Sequence, residues 1–276
     1  MPQNAIIRAN GTGDYTSPQA WAAGEQGSNY GTITIGRVDG FFDFGAVNLD
    51  INGLWVNGAR LECFDSPDSF DGTRRSLCGF TGTASQTVRN RANDVELSGL
   101  EVYNTLAGTP YSNTNSGGDF YAQDCLFKSG TNVSAVQATT TTGQGLINCV
   151  LDSDRGYNPQ IKTSNTSVFG DTASSMGASS MTGVMSNTVT VNIQSGACYR
   201  ATITQSNNAS TDATADFLDN IVVADNFESA TPAASGDYRI KAGSDLDTNG
   251  IGAFIQSAAG SVIPVIMNQL RSQGIN

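Results

Sequence analysis

One short phrase of polar and apolar positions keeps returning along the chain: a small or polar residue, then a small residue or cysteine, then two or three apolar or β-branched residues. It reads Asn52-Gly53-Leu54-Trp55-Val56, Ser98-Gly99-Leu100-Glu101-Val102, Asp124-Cys125-Leu126-Phe127, Asn148-Cys149-Val150-Leu151 and Asp219-Asn220-Ile221-Val222-Val223. The third positions fall at 54, 100, 126, 150 and 221, close to multiples of one repeat of roughly 23 to 25 residues, a period that signals stacked-repeat folds. Less regular copies, Thr166-Ser167-Val168-Phe169, Thr188-Val189-Thr190-Val191 and Thr202-Ile203-Thr204, fill the long gap. Turn chemistry follows the phrases, as in Lys128-Ser129-Gly130 and Asp152-Ser153-Asp154-Arg155-Gly156, and no stretch between 36 and 255 carries sustained helical periodicity. Short strands joined by turns are therefore predicted.

Strands stacked coil on coil make an all-β solenoid, a parallel β-helix, and that is the predicted fold class. Cys125 and Cys149 hold the same place in successive repeats, as stacked interior positions do. A β-sandwich also uses many short strands, but it does not explain the return of one phrase a coil later. At the start, Ala5-Ile6-Ile7 reads as a strand leading to Asn10-Gly11-Thr12-Gly13-Asp14-Tyr15-Thr16 and then to a helix from Pro18, with Ser17 as its N-cap. Such a helix would plug the first coil, since a solenoid needs its open ends covered. At the other end, Ser261 can cap a short helix with Pro264 in its first turn and Gly274 as its stop. Ile263, Ile266, Met267 and Leu270 form one apolar stripe on it, widened by Val262 and Val265. Two roles are open to this tail: plugging the last coil, or reaching a neighbouring subunit as an assembly surface. The organisation read from the sequence is one continuous domain: residues 1–35 as N-terminal strand and capping helix, 36–259 as solenoid, 260–276 as apolar tail.

Composition narrows the function. The chain has 276 residues, 31 of them Gly, with 38% hydrophobic and 14% charged residues. Its net charge of -11, from 14 Lys+Arg against 25 Asp+Glu, offers no basic surface for phosphates, so nucleic acid is not an expected partner. There is no histidine, which removes Ser-His-Asp and Cys-His hydrolysis, His-ligated zinc and His general bases. Carboxylate, Lys, Arg, Tyr or calcium chemistry remains, or none. The first residues lack the basic and apolar regions of a secretory signal, and the apolar runs fall short of a membrane span, so no membrane insertion is expected. The five cysteines match no metal-ligand spacing, and buried free thiols are the favoured reading. Cys63 with Cys78 is the one pair close enough in sequence to bridge a loop.

Four stretches carry candidate chemistry. Asp152-Ser153-Asp154-Arg155 places two carboxylates two residues apart beside a guanidinium, although a solvated turn is the favoured reading. Asp245, Asp247 and Asn249, with Gly250 next, match the opening of an EF-hand-like calcium loop, but the twelfth place is Gln256, which cannot give a bidentate carboxylate. Calcium is thus a weak cofactor candidate, and no other cofactor is expected. Segments 65–80 and 105–118 exceed ordinary turn length and read either as a working face, with Phe64, Phe70 and Tyr111 as contact residues, or as tolerated insertions.

The Gly11-Thr12-Gly13-Asp14-Tyr15-Thr16 turn after the first strand, the helix at 17–23, and the stretch Asp237-Tyr238-Arg239-Ile240-Lys241 followed by Ile251-Gly252-Ala253-Phe254 resemble the right-handed parallel β-helix proteins of the pectin-lyase-like superfamily. The resemblance implies the handedness and the capping helix. It implies little about activity, since that superfamily holds lyases, esterases, hydrolases, viral spikes and adhesins. Arg239-Ile240-Lys241 matches a polygalacturonase tripeptide, but the Asp-Asp pair and Gly-His-Gly loop of that family are absent, as are the motifs of pectin methylesterases. The tripeptide is therefore given to the closing segment. With three lysines, abundant Ser, Thr and Asn, and no catalytic set, the expectation is a non-enzymatic bacteriophage virion protein, located in the particle, contacting other virion proteins and itself as a homo-oligomer. Trimer is the first choice by analogy with viral β-helices. The alternative is an extracellular polysaccharide lyase or depolymerase.

Overall fold

The computed structural model describes residues 4–53, 55–65, 69–92, 94–114, 119–130, 133–138, 144–153, 162–170, 183–192, 198–199, 201 and 203–254. The chain opens with β1 (Asn4–Arg8) and helix α1 (Pro18–Glu25), then makes repeated circuits. The first comprises β2 (Thr34–Asp39), β3 (Phe41–Asp43) and β4 (Leu49–Ile51), and the second β5 (Ala59–Cys63), β6 (Gly79–Gly82) and β7 (Gln86–Asn90). The third holds β8 (Val95–Ser98), β9 (Glu101–Asn104) and β10 (Thr109–Asn113), and the fourth β11 (Phe120–Gln123), β12 (Leu126–Lys128) and β13 (Val136–Ala138). Among the described residues the next circuits each show two strands: β14 (Gln144–Ile147) with β15 (Val150–Asp152), β16 (Lys162–Ser164) with β17 (Ser167–Gly170), β18 (Gly183–Ser186) with β19 (Val189–Asn192), and β20 (Ile203–Ser206) with β21 (Ala209–Ser210). Three short helices close the described chain, α2 (Val223–Asn226), α3 (Pro232–Ser235) and α4 (Asp245–Asn249).

Each strand pairs in parallel with its counterpart one circuit on. The result is a nine-stranded sheet from β1 to β20, an eight-stranded sheet from β3 to β21 and a four-stranded sheet from β4 to β13. This all-parallel, mostly β arrangement is compatible with a β-solenoid. The circuits are less uniform than the repeat predicts: the register advances 25 residues from Ile35 to Arg60, 36 from Ala59 to Val95 and 17 from Gly145 to Lys162. Insertion between strands changes circuit length without disturbing the ladders.

The recurring phrase marks one corner, where the chain passes from the nine-stranded to the eight-stranded sheet. The corner is two residues long, and its first residue has left-handed backbone: Gly99 (φ 68°), Asp124 (54°), Asn148 (51°), Asn165 (48°), Asn187 (48°) and Asn207 (58°). Only Gly, Asn and Asp visit that region at small cost, which is why the phrase opens with them. The second corner residue turns inward, so Leu100, Cys125, Cys149, Thr166, Thr188 and Asn208 are all fully buried. Val150 N–H donates to the Cys125 carbonyl at 2.8 Å, and Ser167 N–H to that of Cys149 at 2.9 Å, which keeps successive corners in step. Side chains add rungs: Asn148 Nδ2 donates to Asp124 Oδ1 at 2.5 Å and Asn207 Nδ2 to Asn187 Oδ1 at 2.8 Å.

Three copies of the phrase are placed elsewhere. At 52–56, β4 has already ended at Ile51; Gly53 takes φ 77° and Trp55 turns in to pack against Trp21, ring centroids 5.1 Å apart, while Leu54 lies outside the described residues. At 219–223, Asn220 makes a left-handed turn into α2. Ile203-Thr204 belongs to the nine-stranded sheet, with Thr202 outside the described residues, and the corner copy in that circuit is Asn207-Asn208-Ala209-Ser210. The helix expected after Ser17 forms as α1: Ser17 Oγ accepts from Ala20 N–H at 3.1 Å, Pro18 opens the helix, and Trp21 is fully buried against Gly36, where a Cβ would sit 2.7 Å from the indole.

If backbone conformation governs the corner, Asn187→Val costs about 1–2 kcal/mol more than Asn187→Gly, because valine meets the left-handed penalty that glycine avoids. Urea denaturation of both variants measures the difference. Equal losses would assign the role of Asn187 to its side-chain hydrogen bond alone.

Candidate functional site

From β12 to β21 the eight-stranded sheet carries apolar residues on both faces. Phe80, Val102, Phe127, Leu151 and Val168 point into the interior core. Between them, Leu126, Val150, Phe169, Val189, Val191 and Ala209 point outward into a second core. What covers that outer face is the chain's own closing segment, through Phe227, Tyr238, Ile240, Leu246, Ile251 and Ala253. Phe169 meets Phe227 and Tyr238, each at 5.4 Å between centroids. The same segment runs along the corner: Phe254 N–H donates to Asn148 Oδ1 at 2.8 Å, Ala253 N–H to Ser167 Oγ at 2.9 Å, and Gly252 N–H to the Asn187 carbonyl at 2.7 Å.

The described ionisable groups buried at this junction are the candidate site. Two residues beyond the outward Leu126 and Val150 stand Lys128 and Asp152, facing partners across β12 and β15. Lys128 Nζ pairs with Asp152 Oδ2, and Tyr238 Oη donates to the same oxygen at 2.5 Å. Asp152 is fully buried, and its Oδ1 has no hydrogen-bond partner among the described residues. Glu101, in the outward row of β9, accepts the backbone N–H groups of Arg75 and Ser76 on Oε1, each at 3.0 Å, while its buried Oε2 is unpartnered among the described residues. Burial holds the Glu101 carboxyl above its ordinary value, against the lowering effect of those two N–H groups and of Arg75 and Arg74. Burial, then the Asp152 charge and hydrogen bond, push the Tyr238 phenol well up. These groups act as anchors: Asp152 fixes the closing segment to the sheet through Tyr238, and Glu101 fixes the 75–76 backbone to it.

Several sequence-predicted sites are placed differently. Asp152 is no solvated turn residue, because it continues the outward row of β15 beneath Tyr238; Asp154 and Arg155 lie outside the described residues. Asp245, Asp247 and Asn249 form the helical turn α4 instead of a metal loop. Ser244 Oγ caps it by accepting from Asp247 N–H at 3.2 Å, Asp247 Oδ2 accepts from Gly243 N–H at 2.7 Å, and helical spacing turns alternate residues away from one another. No group of three or more His, Cys, Asp or Glu among the described residues could hold a metal ion.

The proposed contact face divides. Phe64 is 38% exposed, with Arg8 over its ring, but Phe70 is buried against Phe254 and Tyr238. Tyr111 lies in β10, fully buried, stacked on Phe120 at 3.8 Å. Segments 65–80 and 105–118 thus contain parts of β6 and β10 and are not wholly loop. Cys63 and Cys78, the one pair close enough in sequence to bridge a loop, form a disulfide, while Cys125, Cys149 and Cys198 are free and buried. Arg239-Ile240-Lys241 lies in the closing segment as expected, with Ile240 buried and Arg239 paired to Asp237 at 2.7 Å. Ile263, Ile266, Met267 and Leu270 lie outside the described residues.

Sequence reasoning passed over Glu101, Lys128 and Tyr238. For Glu101 and Lys128 the available signal was spacing, since residues one or three after the corner share the outward face with the apolar residues there; Tyr238 follows no corner and had no such signal. Compared with family models, curated proteins and solved structures, the chain finds no match.

Removing the Lys128 charge strands a buried carboxylate, so Lys128→Met is expected to cost about 3–5 kcal/mol, and Lys128→Met with Asp152→Leu to recover most of it. Chemical denaturation of the single and double variants reads this directly. Glu101 gives a pH signature. A carboxyl raised in the folded state binds its proton more tightly there than in the unfolded chain, so its contribution to stability falls as pH rises from the ordinary value of 4.5 through the raised one. Glu101→Gln is expected to remove that part of the slope; an unchanged stability–pH profile would show that Glu101 titrates alike in both states.

Proposed function

We propose that this chain is a right-handed parallel β-helix serving as a non-enzymatic structural component of a bacteriophage virion: a head decoration, fibre or tail piece. The observation that carries the scaffold reading is the use made of its buried acids. Glu25 accepts from Tyr15 and Tyr30, Glu96 pairs with Arg60, Glu101 accepts two backbone N–H groups, and Asp152 holds Lys128 and Tyr238. Each is committed to holding one part of the chain against another. Parallel ladders in every circuit and cores on both sides of one sheet favour resistance to unfolding, as a particle component needs. In this reading α1 caps the first circuit, and the chain assembles with other virion proteins and as a homotrimer. Histidine-free composition and the scarcity of lysine accord with it.

An antibody raised against the recombinant chain is expected to label virus particles pelleted from a lysate of the source culture in immunogold microscopy, and sedimentation of the recombinant chain to give a trimer. Label confined to the soluble fraction would remove the virion assignment. Release of reducing ends or unsaturated products from a panel of acidic and neutral polysaccharides would replace the scaffold with the carbohydrate-active alternative.

A further inference from the structure

The second circuit breaks the corner rule. In the six later circuits described, the chain crosses from the nine-stranded to the eight-stranded sheet in two residues, but between β5, ending at Cys63, and β6, starting at Gly79, it takes residues 64–78. The Cys63–Cys78 disulfide closes this excursion with a Cα separation of 5.9 Å, bringing the two strand ends together as a short corner does elsewhere. Cys78 itself occupies the inward corner place and is fully buried; its carbonyl accepts Glu101 N–H at 3.0 Å, as that of Leu100 accepts Leu126 N–H in the next circuit.

The excursion is also the seat of the closing segment. Arg74 N–H donates to the Gly236 carbonyl at 2.7 Å, Tyr238 N–H to the Gly72 carbonyl at 2.8 Å, and Thr73 bridges Asp237 in antiparallel fashion. Phe70 packs on Phe254 at 4.8 Å and hydrogen-bonds through its N–H to the Gly99 carbonyl at 3.0 Å. Gly72, at φ 95°, lies so close that a Cβ there would stand 2.8 Å from Arg239 and 2.9 Å from Phe254. The loop is therefore tied both to the corner at Gly99 and to the closing segment at Gly236 and Tyr238.

We infer that the Cys63–Cys78 disulfide is a redox latch, which when formed fixes the 69–77 seat and keeps the closing segment over the outer face of the eight-stranded sheet, and when reduced lets both loosen together. In the opening step a thiolate of a dithiol reductant attacks the sulfur of Cys63, a half-buried residue, forming a mixed disulfide, and fully buried Cys78 leaves as thiolate. The second thiol of the reductant then displaces Cys63. Two electrons and two protons pass to the protein, which holds two thiols, and the reductant becomes a disulfide. A closed loop of this size restricts the open ensemble, so its loss falls on local opening of the segment it ties down. The latch does not depend on the virion assignment.

Hydrogen–deuterium exchange on the full chain, oxidised and after reduction with dithiothreitol, tests it. A thiol titration of the denatured, unreduced chain is expected to count three thiols, rising to five after reduction. On reduction, amides in 69–77 and 236–254 are expected to exchange at least about tenfold faster while those of β12 and β15 stay protected. The Cys63→Ser, Cys78→Ser double variant reproduces that pattern without reductant. Phe70→Ala, with the disulfide intact, loosens 236–254 alone. Five thiols before reduction, unchanged exchange in both segments, or a uniform loss of protection that includes β12 and β15 would each overturn the latch.

Discussion

The docking of the closing segment depends on one constraint: from β12 to β21 the eight-stranded parallel sheet carries apolar side chains on both faces, so neither face there can be left in water. Leu126, Val150, Phe169, Val189 and Val191 alternate with the inward Phe127, Leu151 and Val168, and the inner core absorbs only the second set. Parallel sheets are normally covered on both sides, and here the cover comes from the chain's own closing segment. Burying an aromatic or branched aliphatic side chain contributes roughly 1.5–3 kcal/mol, so the outward row is ample reason for 223–254 to dock. Buried Asp152, paired with the partly exposed Lys128 and with Tyr238, then sets where it docks, since an isolated carboxylate under that cover would be costly.

The same constraint explains what could be read in the chain. Strands with one wet face alternate apolar and polar residues; strands dry on both sides show consecutive apolar ones, and Leu126-Phe127, Val150-Leu151 and Val168-Phe169 are such runs. Their preface of Asp, Asn or Gly is the left-handed corner. Phrase and fold were therefore legible together at 98–102, 124–127 and 148–151. The false copies at 52–56 and 219–223 share the composition but serve other ends: Trp55 seeks Trp21, and Asn220 turns the chain into α2.

What stayed hidden is what depends on separations the sequence does not display. Asp152 and Tyr238 are 86 residues apart, and nothing local distinguishes Asp152 from an ordinary turn residue once Asp and Ser follow a strand. Phe70 and Tyr111 sit in stretches with loop composition, yet one is drawn under the closing segment and the other into the interior. Asp245, Asp247 and Asn249 have calcium-loop spacing, and Ser244 caps them into a helical turn that the spacing alone does not show. Cys63 and Cys78 were visible as a pair in sequence; that they close a long excursion at a corner only one or two residues long in the other described circuits needed the register.

The two-faced sheet is tested most directly by comparing one outward and one inward truncation in the same chemical denaturation experiment. Phe169→Ala is expected to cost about 3–5 kcal/mol, the same range as the inward Leu151→Ala at about 2–5 kcal/mol, since both leave cavities in dry cores. A loss for Phe169→Ala within about 0.5 kcal/mol of zero, the size of a surface substitution, beside a large loss for Leu151→Ala would contradict it and leave the outer face of the sheet in water.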